Sequence, residues 1–468
     1  MRKSIETLKN IWNIEDLRKR ILITILFVAI YRFGSYVVLP GIDPNMLSKL
    51  HEQTSEGLLA LLNMFSGGAF SNASIFALGI MPYISASIVI QLLTIAIPPL
   101  ERLAKDGANG QKKINAITRY VTVGLALITS FGYSMLLKNN GWLIKNATRV
   151  NASGVEESYT NWFAMVVINA AFCAGAALVM WLSEMINDKG IGNGISIILL
   201  ANIVSRLPSM AQSLWYGVIR GTFIKDQAVA NAFIGTAIAL VIVAAMIGIV
   251  AFVVWVTNSE RRIPIQYAKR VVGRKMYGGQ STNLPIKLNM SGVMPIIFAS
   301  SIVSIPATII AFMSNKENWF YKFVDNFFNT DTWEYLVVYL VLIVAFSYFY
   351  IMISFNPVEV ANNITSNGGS IPGIRPGRSM VQYINKILKR ITLIGAFFLC
   401  IVAGLPMLVT VIVSAVKGAT GSTSTVLSAL GNLTFGGSSL LIVVGVVLET
   451  IRDLEAQLSL RANKGFLG

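Results

Sequence analysis

The chain has 468 residues, of which 54% are hydrophobic and 13% charged, and its formal net charge is +16. Soluble globular domains contain about 25% charged residues, so this composition excludes an ordinary soluble protein. Together with a mean hydropathy of +0.64, it predicts an all-α polytopic membrane protein.

The chain contains ten apolar runs, and most of them are near the length of about 20 residues that a helix needs to cross a bilayer. The fifth and tenth runs are short and flanked by glycine, which predicts positions inside the helix bundle. The runs cover about 21–39, 74–97, 118–137, 162–183, 191–207, 233–257, 290–313, 335–355, 391–414 and 433–448.

The basic residues predict the orientation of these ten spans. With the N-terminus in the cytoplasm, most of the 38 Lys and Arg residues fall on the inner side, while the 22 acidic residues divide almost evenly. Cytoplasmic loops of membrane proteins carry such an excess of Lys and Arg. We therefore predict that both termini lie in the cytoplasm.

Five spans in each half predict two inverted halves, at 21–207 and 233–450, although no sequence repeat links them. Residues 208–232 would connect the halves outside the membrane, and residues 451–468 would form a cytosolic tail. Residues 1–20 predict an amphipathic helix on the inner leaflet, because Ile5, Leu8, Ile11 and Trp12 recur at helical spacing. The same helix would also suit packing on the protein, and the two interpretations are not exclusive.

The stretch 66–93 (SGGAFSNASIFALGIMPYISASIVIQLL) has no charged side chain and begins with a Gly-Gly pair. The apolar segment 58–65 before it is too short to cross a membrane. A short helix that breaks at Gly67 and Gly68 predicts irregular backbone at membrane depth. Such backbone is tolerated against protein or a water-filled cavity, which indicates a pore.

Three prolines lie in two of the predicted spans: Pro82 in the second, and Pro295 and Pro306 in the seventh. Proline removes a helical hydrogen bond, so each is predicted to kink its helix. Kinked spans that also carry Gln91 and Asn289 would suit helices that move apart.

Two inner loops are long and punctuated by Gly and Pro. Segment 258–289 alternates polar and apolar residues, which predicts a β-hairpin that extends into the cytosol. Segment 356–390 contains GGSIPGIRPGR, which predicts a turn with Arg375 and Arg378 at its tip. Exposed basic tips suit an RNA-rich or acidic partner, although basic inner loops also arise from membrane orientation alone.

The spans lack ionisable residues at their centres, which disfavours a transporter of small ions. Arg32, Glu184 and Glu449 lie near span ends, where they could snorkel or cap a helix. The glycine-rich GIGNG at 190–194 lacks the Lys-Ser/Thr pair of a phosphate-binding loop. No catalytic, cofactor or metal motif is present, so we expect no enzyme. A secondary transporter for a neutral substrate and a structural insertase or scaffold remain alternatives.

Seven segments together resemble the SecY family, the protein-conducting channels of the bacterial Sec translocase. The match runs in order over nearly the whole chain. The segments are SGGAFSNASIFALGIMPYISASIVIQLL, GIGNGISII, RRIPIQYAKR, QSTNLPIKLNMSGVMPIIFASSI, FNPVEVANN, IPGIRPG and FGGSSLLIVVGVVLE.

The resemblance implies a channel with a waist of aliphatic side chains, which we call the pore ring. By motif position the pore ring comprises Ile80, Ile84, Ile195, Leu199, Ile297 and Ile442. Position 199 is Leu where the family pattern usually has Ile. A narrow apolar constriction resists water and ions by dewetting.

The resemblance also implies a plug at about 58–70 that blocks the outer funnel in the idle channel. Its residues would include Asn63 and Phe65, with Gly67 and Gly68 as the hinge. The second and seventh spans would form a lateral gate to lipid, and its candidate residues are Gln91, Asn289, Pro82 and Pro295.

The family's docking loops imply a basic surface for the SecA ATPase and the ribosome. Its candidates are Arg261, Arg262, Lys269, Arg270, Arg375 and Arg378. The resemblance further implies SecE and SecG subunits, signal sequences and nascent polypeptides as partners, contact with membrane lipid, and a multi-pass location in the plasma membrane of a bacterium.

Overall fold

The structure is a computed structural model. It describes residues 14–43, 49–50, 57–144, 147–150, 156–159, 162–213, 228–267, 270–272, 275–277, 281–312, 319–328, 332–420, 439 and 441–458. Lys269 lies outside the described residues. So do residues 1–13 of the predicted N-terminal helix, residues 214–227 of the predicted connection and residues 459–468 of the tail.

The described part of the chain is mainly helical. The helices of its N-terminal portion are α1 (Glu15–Gly34), α2 (Gly57–Ser66), α3 (Met81–Ala96), α4 (Pro98–Lys105), α5 (Gly107–Asn139), α6 (Trp162–Lys189), α7 (Gly194–Val204) and α8 (Leu207–Ser213). Those that follow are α9 (Ala228–Thr257), α10 (Met294–Phe312), α11 (Trp319–Phe328), α12 (Trp333–Ser354), α13 (Pro357–Ser366) and α14 (Arg378–Thr420). Residues 441–458 form α15.

Every one of the ten predicted apolar runs contains a helix in the described residues. By length and apolar character, four described helical segments are long enough to cross a membrane: Gly107–Asn139, Trp162–Lys189, Trp333–Ser366 and Arg378–Val409. Helices α3 and α4 form a further candidate span, bent by 102° at Ile97.

The expected kinks at Pro82 and Pro295 are wrong. Both prolines are the second residue of their helix, in α3 and α10. A proline in the first turn removes no intrahelical hydrogen bond, because the first N–H groups of a helix have no partner within it. Pro306 does lie inside α10.

The helices divide into two compact units. The first comprises Met1–Trp215, Ser300–Tyr335 and Val446–Gly468, and the second comprises Tyr216–Ala299 and Leu336–Gly445. One core of the first unit surrounds Phe70, Tyr133 and Phe172, and all three side chains are buried.

In the second unit the predicted hairpin is present: β3 (Glu260–Tyr267) pairs antiparallel with β6 (Ser281–Lys287), and Glu260 lies opposite Lys287. A short strand of the other loop, β7 (Gly369–Ser370), pairs with the free edge of β3. Among the described residues there are two further strand pairs, β1 (Ala147–Val150) with β2 (Glu156–Tyr159) in the first unit and β4 (Arg270–Val272) with β5 (Lys275–Tyr277) in the second.

The three-stranded sheet rests on an apolar core. Ile263 and Ile265 of β3 point to one side, and both are buried, whereas their neighbours Arg262 and Pro264 are exposed. This alternation is expected for a sheet with one covered face. The same core contains Ile371 and Met380, so the two predicted inner loops form one structure.

Candidate functional site

The short helix α2 ends in a glycine-capped turn at the predicted break. The N–H of Gly68 donates to the Asn63 carbonyl (3.0 Å), and the N–H of Gly67 donates to the Met64 carbonyl (3.1 Å). This pair of hydrogen bonds is the Schellman motif, which requires a left-handed residue after the helix. Gly67 has φ +65° and Gly68 has φ +90°, and glycine adopts both without strain.

Side chains within residues 63–74 hold the turns that follow. The Asn63 Oδ1 accepts a hydrogen bond from the Ser71 N–H at 3.1 Å. The Ser66 Oγ accepts one from the Phe70 N–H at 3.0 Å, and the Ser74 Oγ donates to the Ala69 carbonyl at 3.2 Å. Residues 67–80 therefore form an ordered connection rather than the start of the second span.

Three side chains from three different helices donate hydrogen bonds to carbonyls of α2 and of the residues that follow it. Asn202 of α7 donates to the Phe65 carbonyl through Nδ2 at 2.6 Å. Arg32 of α1 donates to the Gly67 carbonyl through Nη1 at 3.1 Å. Tyr133 of α5 donates to the Phe70 carbonyl through its hydroxyl at 2.6 Å. We call Arg32, Tyr133 and Asn202 the carbonyl clamp.

The carbonyl clamp is buried. Asn202 and Tyr133 have no exposed surface, and Arg32 is half-buried, with its second guanidinium nitrogen bonded to the Tyr36 hydroxyl at 3.3 Å. The Tyr133 ring also packs against Phe70 and Phe172, with ring centroids 4.4 and 5.0 Å apart. Buried hydrogen bonds of this kind are costly to break one at a time, because the partner is left unsatisfied.

Sequence reasoning missed two members of the carbonyl clamp. Arg32 was expected to snorkel or cap near a span end, and its partner proves to be the hinge of α2. Asn202 and Tyr133 were not singled out. A polar amide inside an apolar run was the available signal for Asn202, since polar groups within a membrane span need a partner.

Four pore-ring candidates lie in the first unit. Ile80 caps the start of α3 and Ile84 lies one turn later, and both side chains are buried. Leu199 is buried on α7, which packs directly against α2, whereas Ile195 is partly buried. The start of α7 is fixed by Asn193, whose Oδ1 accepts a hydrogen bond from the Ile195 N–H at 3.0 Å.

The other two pore-ring candidates, Ile297 of α10 and Ile442 of α15, lie in the second unit and are buried there. Close to Ile442, a Cβ on Gly445 would lie only 2.1 Å from Cγ1 of Val293, so α15 and the turn before α10 pack tightly at this glycine.

The lateral-gate candidates make their hydrogen bonds locally. Gln91, which is partly buried on α3, donates to Ser87 of the same helix at 3.3 Å. Asn289 donates to the Gly292 carbonyl at 3.1 Å and accepts from Ser291 at 3.2 Å, so it holds the turn that starts α10. Pro82 and Pro295 are both buried in the first turns of their helices.

An apolar cavity of about 190 Å³ lies beside α2 within the first unit. Leu62 lines it from α2 and Phe70 from the turns after the hinge. Pro82 lines it from α3, Thr129 from α5 and Ile305 from α10.

The docking candidates lie in the second unit. Arg261 and Arg262 are exposed on β3, and Arg262 forms an ion pair with Glu260 at 2.7 Å. Arg375 is exposed in the turn after β7, whereas Arg378 is exposed as the first residue of α14. Arg270 belongs to β4. The pairing of β3 with β7 thus joins the two basic loops, a contact that the sequence did not predict.

Comparison with known proteins identifies the family. The family model for SecY matches residues 74–451. The chain belongs to the SecY family. The protein translocase subunit SecY of Streptomyces scabiei is 42% identical over 458 residues, which covers 97% of each protein. The SecY subunit of Mycobacterium bovis is 40% identical over 462 residues with the same coverage.

Solved structures of protein-conducting channels share the fold. One such channel matches with a TM-score of 0.54 at 14% identity, over 94% of this chain and 92% of the other. A SecY structure whose plug domain stabilises the closed state matches with a TM-score of 0.53 at 14% identity. Sec61 in a canine ribosome–channel complex from the endoplasmic reticulum matches with a TM-score of 0.52 at 13% identity. Each of the latter two matches also covers 94% of this chain and 92% of the other. The predicted all-α polytopic membrane fold is confirmed.

Proposed function

We propose that the chain is the central channel of a Sec translocase. It would pass unfolded secretory polypeptides across the membrane and release transmembrane segments sideways into lipid. The observation that carries the proposal is the way in which α2 is held in place. A short helix on a glycine hinge is held by three separate side-chain donors, which suits an element that seals a path and can leave it.

The plug of this channel would be α2 with its hinge at Gly67 and Gly68. Its displacement would require the carbonyl clamp to release three backbone carbonyls, which water can then hydrate. A matched SecY structure has a plug domain that stabilises the closed state and maintains a membrane seal, which supports this assignment.

The channel waist would be the pore ring defined above. Its aliphatic side chains would close around a passing chain and exclude water and ions when the channel is idle. Burial of Ile80, Ile84 and Leu199 supports the ring.

The lateral gate would lie between α3 and α10, the helices of the second and seventh predicted spans. Each begins with a proline in its first turn. Gln91 lies towards the end of α3, and Asn289 lies in the turn before α10. The apolar cavity beside α2 supports a site here that accepts hydrophobic segments, because ten of its thirteen lining residues are apolar.

The basic surface on the second unit would bind the motor and the ribosome. Arg261, Arg262, Arg375 and Arg378 are exposed, and guanidinium groups suit phosphate and carboxylate partners. Lys269 and Arg270 would extend this surface. The match to Sec61 in a ribosome–channel complex supports the ribosome as partner. The channel would also assemble with SecE and SecG subunits. It would lie in the plasma membrane of a bacterium, with both termini in the cytoplasm.

Transport by the reconstituted protein tests the function. The chain would be placed in liposomes with SecE, SecG, SecA, ATP and a secretory precursor, and protease-protected precursor would be measured. Protection that depends on ATP and on an intact signal sequence is expected. If liposomes with correctly folded protein protect no more precursor than empty liposomes do, the channel function is wrong.

A further inference from the structure

Helix α11 (Trp319–Phe328) connects two apolar helices, α10 and α12, and the proposed function gives it no role. Its sequence WFYKFVDNFF is dominated by aromatic residues, although only 10% of the whole chain is aromatic. Its Trp319 and Tyr321 are of the two types that concentrate where membrane helices meet the water interface.

Three of these aromatics form a ladder along one edge of α11. Trp319, Phe323 and Phe327 are four residues apart, so they share one helix face. The ring centroids of Trp319 and Phe323 are 5.6 Å apart, and those of Phe323 and Phe327 are 4.8 Å apart. The three side chains are 75%, 45% and 41% exposed.

A second side of α11 faces the protein. Val324 lies away from the ladder on the helix and is 3% exposed, which fixes the rotation of the helix about its axis. Lys322 falls on the arc of the helix that neither the ladder nor Val324 occupies, and its side chain is exposed. The helix therefore has a protein side, an aromatic side and a polar side.

We propose that α11 is an interfacial helix whose aromatic ladder inserts into the phospholipid bilayer at the boundary between headgroups and acyl chains. Amphipathic helices with aromatic residues on one face and charges on another lie in this plane. The connection to two membrane helices holds α11 at that depth, and α12 begins with another exposed indole, Trp333. The proposal does not depend on what the channel transports.

Depth measurement by spin labelling tests the proposal. Cys173 and Cys400 would be replaced by Ala, and Phe323→Cys and Lys322→Cys would be labelled separately in the full chain. The labelled proteins, in nanodiscs of phosphatidylethanolamine and phosphatidylglycerol, would be exposed to oxygen and to a water-soluble nickel complex. Position 323 should collide mainly with oxygen, and position 322 should collide mainly with nickel.

Phe327→Cys, one turn further along the ladder, should give the same result as position 323 and guards against a local disturbance. If the ladder positions are as accessible to nickel as position 322, the ladder lies in water and the proposal is overturned. If they are shielded from both reagents, protein covers the ladder and the lipid assignment is equally wrong.

Discussion

Asn202 donates a 2.6 Å hydrogen bond from its side-chain amide to the main-chain carbonyl of Phe65, and the two residues are 137 positions apart in the chain. The bond joins the last turn of the apolar helix α7 to the last turn of α2. With Arg32 and Tyr133, it makes the closed position of α2 depend on a few buried donors.

Asn202→Ala should destabilise the closed channel. In the closed channel the Phe65 carbonyl would stay buried without a partner, which costs about 1–3 kcal/mol. When α2 is displaced, water hydrates this carbonyl, so the displaced state does not carry that cost. We expect a raised ion conductance of the idle channel in planar bilayers. Ser205→Ala on the same chain segment is the matched control, because its hydroxyl donates its hydrogen bond to the Asn202 carbonyl and not to a carbonyl of α2. If Asn202→Ala has the same idle conductance as the parent protein, Asn202 does not contribute to the seal.

Arg32→Ala should also raise the idle conductance, because it removes the donor to the Gly67 carbonyl. Tyr36→Phe is the control, since it removes only the hydroxyl that accepts a hydrogen bond from the other guanidinium nitrogen of Arg32. A leak of equal size in both variants would mean that Arg32 acts through Tyr36 and that its bond to the hinge is unimportant.

Tyr133→Phe should lower the stability of the folded protein by about 1 kcal/mol, because the bond to the Phe70 carbonyl is lost while the ring packing is kept. The measurement is thermal unfolding of the purified protein in detergent. Tyr120→Phe serves for comparison, since Tyr120 lies on the same helix and is 80% exposed. Identical unfolding temperatures for the two variants would contradict the assigned role.

Gly67→Ala should be more harmful than Gly68→Ala. Both force an L-residue into the left-handed region, which costs about 1–2 kcal/mol. A Cβ on Gly67 would also lie 2.6 Å from Oδ1 and 3.0 Å from Cα of Asn202, whereas one on Gly68 meets nothing within 4 Å. Idle conductance of both variants distinguishes them, and a larger leak from Gly68→Ala would contradict the geometry of the clamp.

Features with a local cause were predictable from the sequence. The apolar runs, the break at Gly67 and Gly68 and the hairpin in segment 258–289 each follow from neighbouring residues. The roles of Pro82 and Pro295 were also predictable from neighbouring residues, but the predicted kinks were wrong. Gly79 precedes Pro82 and Gly292 precedes Pro295 by three positions, both with positive φ, and a helix that starts after such a glycine accepts proline in its first turn.

Features that depend on distant pairing were not predictable from the sequence alone. The partner of Asn202 is a backbone carbonyl, which carries no residue-specific signal. The pairing of Tyr267 with Gly369 likewise joins two loops that lie about a hundred residues apart, and the two-residue strand β7 is too short to show a period of its own.

The most direct test of the central claim is a disulfide crosslink to a polypeptide in transit. Ile84→Cys would be introduced after replacement of Cys173 and Cys400, in membranes that contain SecA, ATP and a secretory protein with one cysteine, stalled halfway through export. Leu127→Cys, at a position exposed on α5, is the control. We predict a crosslink at position 84 that requires the signal sequence, and none at position 127. Export of the secretory protein without any crosslink at position 84 would contradict the proposed path through the chain.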